Sequence, residues 1–372
     1  MCFVKNWGWR SLGLIAWLSC SAILSGATLL VDRTGQFDAD YRSLQEAMEA
    51  AEDGDTVYVA PSNLSYGDVI LGKSVRLVGV GIPSEDLLPW RTGIHSRIGK
   101  LTFQPGADAA LVMGLDISTV DYMNSEVAER EHPHGVTFYR NLIGAVTVQM
   151  PSSTVRPINN LRFINNMMGD LNIGSGNFRQ DINNVQILNN VIRSHISFRS
   201  QVNAVTGVCR NNFIFESSRS FLELSNPSVS FVDNVVFISG DVRALRSGLH
   251  GPVWPPLTAG NVFIGGAPLK SEDEKKNLEI DRDEYRTVLP KWDASIGFRR
   301  GKVNAAAGAL IADSHPAKTA GVDGGEPGIF GGAHPFDLYQ MPPLPFVSRV
   351  EAPAIVSEGE GMQVTVEIKS HR

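Results

Sequence analysis

Cysteine, charge and long apolar runs are all scarce in this 372-residue chain. It has three cysteines, and charged residues make up only 19% of the sequence. Two of the cysteines lie within the first 27 residues, so removal of that segment would leave Cys209 alone and unable to form an internal disulfide. The fold must then be stabilised by packing, and we expect Cys209 to be a small buried hydrophobe rather than a nucleophile.

Basic residues are neither numerous nor clustered along the chain. The formal net charge is -6, and neither a basic stripe nor a series of aromatic residues for base stacking is visible. Nucleic acid is therefore not an expected partner. The apolar content of 43% is that of an ordinary globular protein.

The longest apolar segment, at about 12–24, is short for a membrane span and is interrupted by serines. It follows Lys5 and Arg10 and precedes the small residues of 25–27, which suit the -3 and -1 positions of a cleavage site. This order predicts a signal peptide over residues 1–27. We expect no membrane span after its removal, and a protein that is secreted, periplasmic or at the cell surface.

Two alternatives to cleavage after Ala27 stay open. An uncleaved segment would anchor the chain, and Cys20 could carry a lipid, although Trp17 fits poorly at the third position before it. Cleavage would leave 31 basic against 39 acidic residues, a formal charge of -8.

Residues 28–60 have the pattern of a strand, a helix and a second strand. Ser43 and Glu46 form a capping-box pair, which marks the start of a helix. Apolar residues then recur with the spacing of one helix face, at Leu44, Ala47, Met48 and Ala51. Because such a helix can cover the open end of a solenoid, we predict an N-terminal capping helix within residues 28–60.

A repeat of 22–27 residues between about 100 and 265 is the most informative feature of the sequence. An asparagine recurs between an alternating strand and a shorter apolar one. Each amide both donates and accepts, so asparagines at one turn can hydrogen-bond to the copies in neighbouring coils. With Asp116 aligned at the first position, the predicted column consists of Asn141, Asn166, Asn190, Asn212, Asn234 and Asn261.

This period predicts an all-β fold, a parallel β-helix solenoid. Leucine-rich repeats share the period, but their Leu-x-x-Leu-x-Leu frame is missing. The β-helix domain is expected over residues 28–336, with coils over about 61–270 and an irregular C-terminal part over 271–336. A short, hairpin-like C-terminal β segment is expected over 337–372.

Two parts of the chain resemble a known superfamily. The run RSLQEAMEAAEDGDTVYVAP at 42–61 and VRLVGVG at 75–81 resemble the opening of pectin lyase-like proteins. SHPA at 314–317, GVDGG at 321–325 and GIFGG at 328–332 are similar to the end of β-helix domains in secreted bacterial proteins. The resemblance implies a right-handed parallel β-helix and a polysaccharide partner. The superfamily includes lyases, hydrolases, esterases, adhesins and members without known activity.

The signatures of individual enzyme families are missing from the sequence. It has no Asp-Asp pair of the polygalacturonase-like type and no Trp-x-Asp-His of the pectate lyase-like type. The paired aspartates with Gln and Arg of a pectin esterase-like site cannot be assigned either. The resemblance therefore implies a fold and leaves the activity open.

In this superfamily the asparagine turn precedes a short strand, and the strand that follows it often forms the floor of the substrate groove. A lyase there needs a base to take the proton beside a uronate carboxylate, and a cation to stabilise the resulting charge. His195 or Arg199 would be the base. Arg243, or a calcium ion held by Asp170, would neutralise the charge. An inverting hydrolase would instead use Asp170 and Glu223 as its two carboxylates.

Asn172, Gln149 and Asp241 are expected to bind substrate on the same face. These outward residues also have a simpler interpretation, as the solvated polar side chains that any such sheet requires. No metal site is predicted, because His132 and His134 have no further zinc ligands at suitable spacing.

Two functions follow from these features. The first is a secreted enzyme, a polysaccharide lyase or glycoside hydrolase acting on an acidic glycan. The second is a non-catalytic surface or matrix protein that binds glycan or spaces other modules. Either protein is expected to be a monomer.

Overall fold

The described part of the chain forms a parallel β-solenoid of about seven turns. None of its helices is long and apolar enough to cross a membrane. The computed structural model describes residues 26–82, 95–122, 132–149, 157–175, 181–194, 196–198, 205–216, 222–224, 227–238, 245–247, 258–265, 277–292, 308–338, 340–343, 345–351 and 364–370.

Short strands follow one another with few helices between them. The first half contains β1 (Thr28–Val31), helix α1 (Leu44–Ala50), β2 (Thr56–Val59), β3 (Val69–Leu71), β4 (Arg76–Val78), β5 (Arg97–Phe103), β6 (Leu111–Met113), β7 (Asp116–Asp121), β8 (Thr137–Tyr139), β9 (Leu142–Gln149), β10 (Ile158–Asn159), β11 (Arg162–Ile164), β12 (Met167–Ser175) and β13 (Ile182–Leu188). The second half contains β14 (Val191–Ile192), β15 (Ile196–Phe198), β16 (Val205–Arg210), β17 (Phe213–Glu216), β18 (Leu222–Leu224), β19 (Pro227–Val232), β20 (Val235–Ile238), β21 (Leu245–Ser247), β22 (Thr258–Ala259), β23 (Val262–Ile264), β24 (Leu278–Ile280), α2 (Tyr285–Val288), β25 (Pro345–Glu351) and β26 (Thr365–Ser370), with 3-10 turns at Arg282–Glu284 and Pro316–Thr319.

Neighbouring strands come from successive coils, so the two long sheets are parallel. The first sheet has the order β1-β2-β4-β6-β8-β11-β13-β16-β19-β22, with β10 beside β13. The second sheet has the order β3-β5-β7-β9-β12-β14-β17-β20-β23-β24, and β15, β18 and β21 continue it from β12. This topology confirms the predicted all-β parallel solenoid.

The core lies between the two sheets and is filled by apolar side chains from strands of both. Phe138 of β8 stacks on Phe163 of β11, with ring centroids 5.0 Å apart, and Phe103 of β5 meets Phe138 edge-to-face at 5.6 Å. Such pairs contribute about 0.5–1.5 kcal/mol each beyond the area that they bury. Because Phe138 and Phe163 are register partners, their stacking helps to hold neighbouring coils in register.

The predicted asparagine column is present and is completely buried from Asn141 to Asn261. Each side-chain Nδ2 donates to the Oδ1 of the next copy, over 2.9–3.1 Å. Each Oδ1 also accepts the backbone N–H of the previous copy, as Asn212 does from Asn190 at 2.9 Å. The column therefore satisfies polar groups that would otherwise be buried without partners.

Both ends of the column differ from the sequence prediction. Asn277 continues it, accepting from Asn261 Nδ2 at 2.9 Å. At the other end, the backbone N–H of Leu115 donates to Asn141 Oδ1 at 3.0 Å. Asp116 lies one residue further on, in register with Leu142, so its alignment with the asparagines was wrong.

Two stacked glycines allow the backbones of adjacent coils to approach closely. A Cβ added at Gly169 would lie 2.0 Å from the carbonyl oxygen of Gly144, and one added at Gly144 would lie 2.3 Å from that of Ser118. Gly169 separates the two halves of β12, which pair with β14 and β15 of the next coil. The close approach of the coils at this point thus depends on the missing side chains.

Substituting Gly169→Ala should lower the free energy of unfolding by about 1–3 kcal/mol, because the added methyl group overlaps a backbone oxygen that cannot move independently. Urea-induced unfolding measures the loss. Gly72→Ala is the matched control, since its Cβ would meet nothing closer than 3.5 Å. Equal losses for the two variants would contradict the proposed close approach.

The predicted N-terminal helix is α1, and its N-cap residue is Ser43, as predicted. Ser43 Oγ accepts from the backbone N–H of Glu46 at 3.4 Å. Leu44, Ala47, Met48 and Ala51 are all buried. Gln45 Oε1 accepts from the backbone N–H of Ile70 at 2.9 Å, which gives the first strand of the second sheet a partner on that side. The role of α1 as the cap of the whole solenoid stays a prediction.

The chain returns along the outside of the coils in a segment that we call the strap, residues 321–338 and 340–342. It runs in the direction opposite to the coil order. Its first residues contact Asp233 in a late coil, and its last residues contact Ile82 in an early one. Val322 N donates to Asp233 Oδ1 at 2.8 Å, and Ile82 N donates to Gln340 O at 3.0 Å.

The strap is bound by the residues that come directly before each asparagine of the column in the sequence. These residues have left-handed backbone conformations, with φ between 53° and 57° from Arg140 to Asp233. Asn189 Nδ2 donates to Ile329 O and Gly331 O, at 2.9 Å and 2.7 Å. Asparagine and aspartate tolerate this conformation better than most residues. The corner residues in contact with the strap are Arg140, Asn165, Asn189, Asn211 and Asp233.

A second apolar cluster lies outside the coils, beneath the C-terminal part of the chain. Trp292 packs edge-to-face against Phe213 and Phe215, with centroids 4.8 Å and 5.0 Å apart. Ile329 and Phe336 of the strap belong to the same cluster. The C-terminal residues therefore cover an apolar stripe that the second sheet presents outward.

β25 and β26 pair antiparallel, in register from Pro345 with Ser370 to Glu351 with Thr365. This pair agrees with the hairpin-like segment predicted at the C-terminus.

Candidate functional site

The second sheet carries a row of polar residues that are in register from coil to coil. Asp121 pairs with Thr147, Thr147 with Asn172, and Asn172 with Ser197. Ser197 then pairs with Glu223. We call these five residues the polar face. Adjacent members lie about 4.8 Å apart along the solenoid axis, the ordinary spacing between strands.

Asp170 and Asn172 are predicted site residues on the outward side of β12. Both are partly exposed, and Leu171 between them is fully buried. Val146, Ile173 and Ile196 are buried in the same way, as the predicted alternation requires. Asp170 and Asn172 therefore present a carboxylate and an amide on one surface.

Ser197 occupies the next position of the polar face. Its side chain is only 1% exposed, and its Oγ has no hydrogen-bond partner within the described residues. A buried hydroxyl without a partner is unfavourable unless something else satisfies it. Ser197 Oγ is thus an unsatisfied polar group beneath the polar face, covered by its neighbours rather than presented to a ligand.

Glu223 lies two coils from Asn172, as the sequence register predicted, but only its backbone is described. Two strand spacings are about 9.6 Å. This separation is close to the range of about 6.5–9.5 Å between the carboxylates of inverting glycosidases. Asp170, two residues before Asn172, and Glu223 therefore remain a predicted pair.

The register identifies a basic residue that sequence analysis did not select. Glu223 pairs with Arg246 of β21, and Leu222 pairs with Leu245. The sequence analysis instead selected Arg243 as the cation of this face, because the length of the connection between the two coils cannot be read from the sequence.

The remaining predicted residues are less well located. Gln149 ends β9, in register with Ser175, and its side chain is outside the description. His195, Arg199, Asp241 and Arg243 lie outside the described residues. Their roles stay predictions.

His132 and His134 lie in the turn that precedes β8 of the first sheet. His134 Nδ1 accepts from Asn159 N at 3.2 Å, so one ring nitrogen is engaged within the fold. Burial, and then the neighbouring His134, lower the pKa of His132. Among the described residues, no group of three or more His, Cys, Asp or Glu side chains could hold a metal ion. A calcium ion at Asp170 is therefore not supported by a ligand cluster in those residues.

Cys209 is fully buried beside the asparagine column, and Asn212 Nδ2 donates to its Sγ at 3.3 Å. Burial raises the pKa of the Cys209 thiol, while the bond from Asn212 lowers it. Since thiolate is the reactive form, the position supports a packing role.

Cys209 in the folded protein should react with a thiol reagent about a hundredfold or more slowly than a free thiol, since access requires an opening that costs several kcal/mol. The reaction is followed at pH 8 with and without denaturant. A Cys209→Ala variant gives the signal of the other cysteines. Rapid labelling of Cys209 in the folded chain would contradict the assignment.

The polar face consists of hydroxyl, amide and carboxylate residues in register from coil to coil. Such groups hydrogen-bond to sugar hydroxyls, and carboxylates can also act as acid or base. No protein-family model, curated protein or solved structure matches this chain.

Proposed function

We propose that the protein binds a polysaccharide along the polar face of the second sheet. The observation that carries the proposal is the register of five polar residues on five successive coils, from Asp121 to Glu223. A linear glycan lying along the solenoid axis would meet the partly exposed Asp121, Thr147 and Asn172 in three successive coils.

The proposal also covers the superfamily to which the protein belongs and the compartment in which it acts. The fold, with the resemblance at 42–61 and 314–332, supports a right-handed β-helix of the pectin lyase-like superfamily. The order of charge, apolar segment and small residues over 1–27 supports export to the periplasm, cell surface or medium. A monomer suits a solenoid that presents its own complete face.

Catalysis on an acidic glycan is the more specific form of this proposal. Glu223 and Arg246 stand in register, which supports a carboxylate next to a cation on the same face. With His195 or Arg199 as base, this pairing would suit β-elimination. A non-catalytic protein that only binds glycan or spaces other modules is the alternative, favoured by the missing enzyme signatures.

Binding is tested with a panel of acidic and neutral polysaccharides, by calorimetry on the full chain. Asp170→Ala and Asn172→Ala should each weaken binding about tenfold. The reason is that a hydrogen bond to a charged group contributes about 1.5–3 kcal/mol, and about 1.4 kcal/mol is a factor of ten in affinity. Arg76→Ala is the control, since Arg76 is exposed on the first sheet. Unchanged binding in both variants would remove the polar face from the proposal.

Turnover separates the two forms of the proposal. A lyase releases unsaturated ends that absorb in the ultraviolet, and a hydrolase releases new reducing ends. Loss of either product with His195→Ala or Glu223→Ala would support the catalytic site. Binding without any product would leave the non-catalytic alternative.

A further inference from the structure

The first sheet also presents a row of polar side chains outward, distinct from the polar face. It has one member on each of six successive coils, and each member is exposed or half-buried. Register and hydrogen bonds align neighbouring members along the solenoid axis. We call this row the amide column; it consists of Asp108, His134, Asn159, Asn183, Thr206 and Ser228.

Hydrogen bonds already fix the side chains of the amide column. Asn183 Nδ2 donates to Asn159 Oδ1 at 3.0 Å, and His134 Nδ1 accepts from Asn159 N at 3.2 Å. Beside the column, Asn184 Nδ2 donates to Asn160 Oδ1 at 2.7 Å, and both of these residues are exposed. A ligand that binds here would not need to order these side chains, so less entropy is lost on binding.

An unbroken polar row is not simply what the outward positions of this sheet require. The next outward row on the same strands is mixed: it contains polar residues and also the apolar residues Leu111 and Val208, both partly exposed. The row after that includes Ile164 and Leu188. Only the amide column is polar on every one of these six coils.

We propose that the amide column is a second binding surface, and that its ligand is a neutral polysaccharide lying along the solenoid axis. Amides and hydroxyls both donate and accept, as sugar hydroxyls do. The column has a carboxylate at one end only, Asp108, and the exposed cation Arg162 lies beside it. An anionic glycan therefore has no basic row to follow, whereas a neutral chain meets matching groups in each coil.

Dimensions support an extended chain as the ligand. Six coils cover about 24 Å along the axis, from five strand spacings of about 4.8 Å. The rise of one coil is close to the length of one sugar residue in an extended chain. A polysaccharide could then repeat the same contacts from coil to coil, which a small sugar could not do.

The experiment measures binding of the full chain to soluble xylan, mannan and β-glucan by affinity electrophoresis. The double variant Asn159→Ala with Asn183→Ala should weaken binding about tenfold or more, because it removes the fixed amides of two coils. Thr206→Val keeps the side-chain shape and removes one hydroxyl, so it should weaken binding by about two- to tenfold. Arg76→Ala is the control on the same sheet, outside the column.

The outcomes separate this surface from the polar face. Binding that is lost in the amide-column variants and kept in Asn172→Ala supports the inference, whatever happens to the proposed function. Absence of binding to every neutral glycan overturns it, even if an acidic glycan binds at the polar face. If the double variant does not fold, unchanged binding by Thr206→Val overturns it instead.

Discussion

Substituting Asn190→Leu in the middle of the asparagine column should lower the free energy of unfolding by about 3–5 kcal/mol. Leucine is similar in volume and apolar, so the loss comes from hydrogen bonds rather than from a cavity. Asn190 Nδ2 donates to the buried carbonyl of Phe163 at 2.9 Å, and its Oδ1 accepts from Asn166 N at 2.8 Å. Each buried group left without a partner costs about 1–3 kcal/mol.

Urea-induced unfolding followed by circular dichroism measures this loss. Asn172→Leu is the matched control, because Asn172 is partly exposed on the outer side of β12; it should change stability by less than about 1 kcal/mol. Asn277→Leu gives an intermediate case at the half-buried end of the column. Similar losses at Asn172 and Asn190 would show that the column does not stabilise the fold as described.

The column was predictable because its geometry does not change from coil to coil. The connections vary in length, but each turn needs one residue whose side chain both donates and accepts. Asn277 was missed because it follows Asn261 after only 16 residues, outside the 22–27 range of the repeat. Asp116 was misaligned because Leu115 occupies the asparagine position of its coil and supplies a backbone N–H but no side-chain amide.

The strap could not be predicted, since it has neither the period of a strand nor that of a helix. Its contacts also join residues far apart in the sequence, such as Asn165 and His334. A signal was nevertheless present in the Asn-Asn doublets at 165–166, 189–190 and 211–212. The second asparagine of each doublet enters the column, and the first adopts the left-handed conformation and binds the strap.

The candidate site was predictable only in part, for a related reason. Alternation along a strand correctly separated buried Leu171 and Ile173 from outward Asp170 and Asn172. Alignment between coils depends on connection lengths, which the sequence does not reveal. The register partner of Glu223 is therefore Arg246 and not Arg243, the residue selected from the sequence.

Substituting Arg140→Leu should lower the free energy of unfolding by about 3–5 kcal/mol, because it breaks a largely buried ion pair on one side only. Arg140 Nη1 lies 3.0 Å from an Asp337 carboxylate oxygen, and the two side chains are 6% and 18% exposed. The same guanidinium donates to Met341 O. Leucine would leave the Asp337 carboxylate without this partner at the end of the strap, and the strap should open there first.

Two measurements separate loss of the strap from general damage. Limited proteolysis should cleave Arg140→Leu within residues 321–342 faster than the wild-type chain, before the coils are cut. Arg140→Asn is the matched variant, because Asn165, Asn189 and Asn211 bind the strap from equivalent corners; it should lose less stability. A double-mutant cycle with Asp337→Asn then isolates the pair. Additive losses in that cycle would mean that the ion pair does not hold the strap, and that the corner asparagines and Asp233 are sufficient.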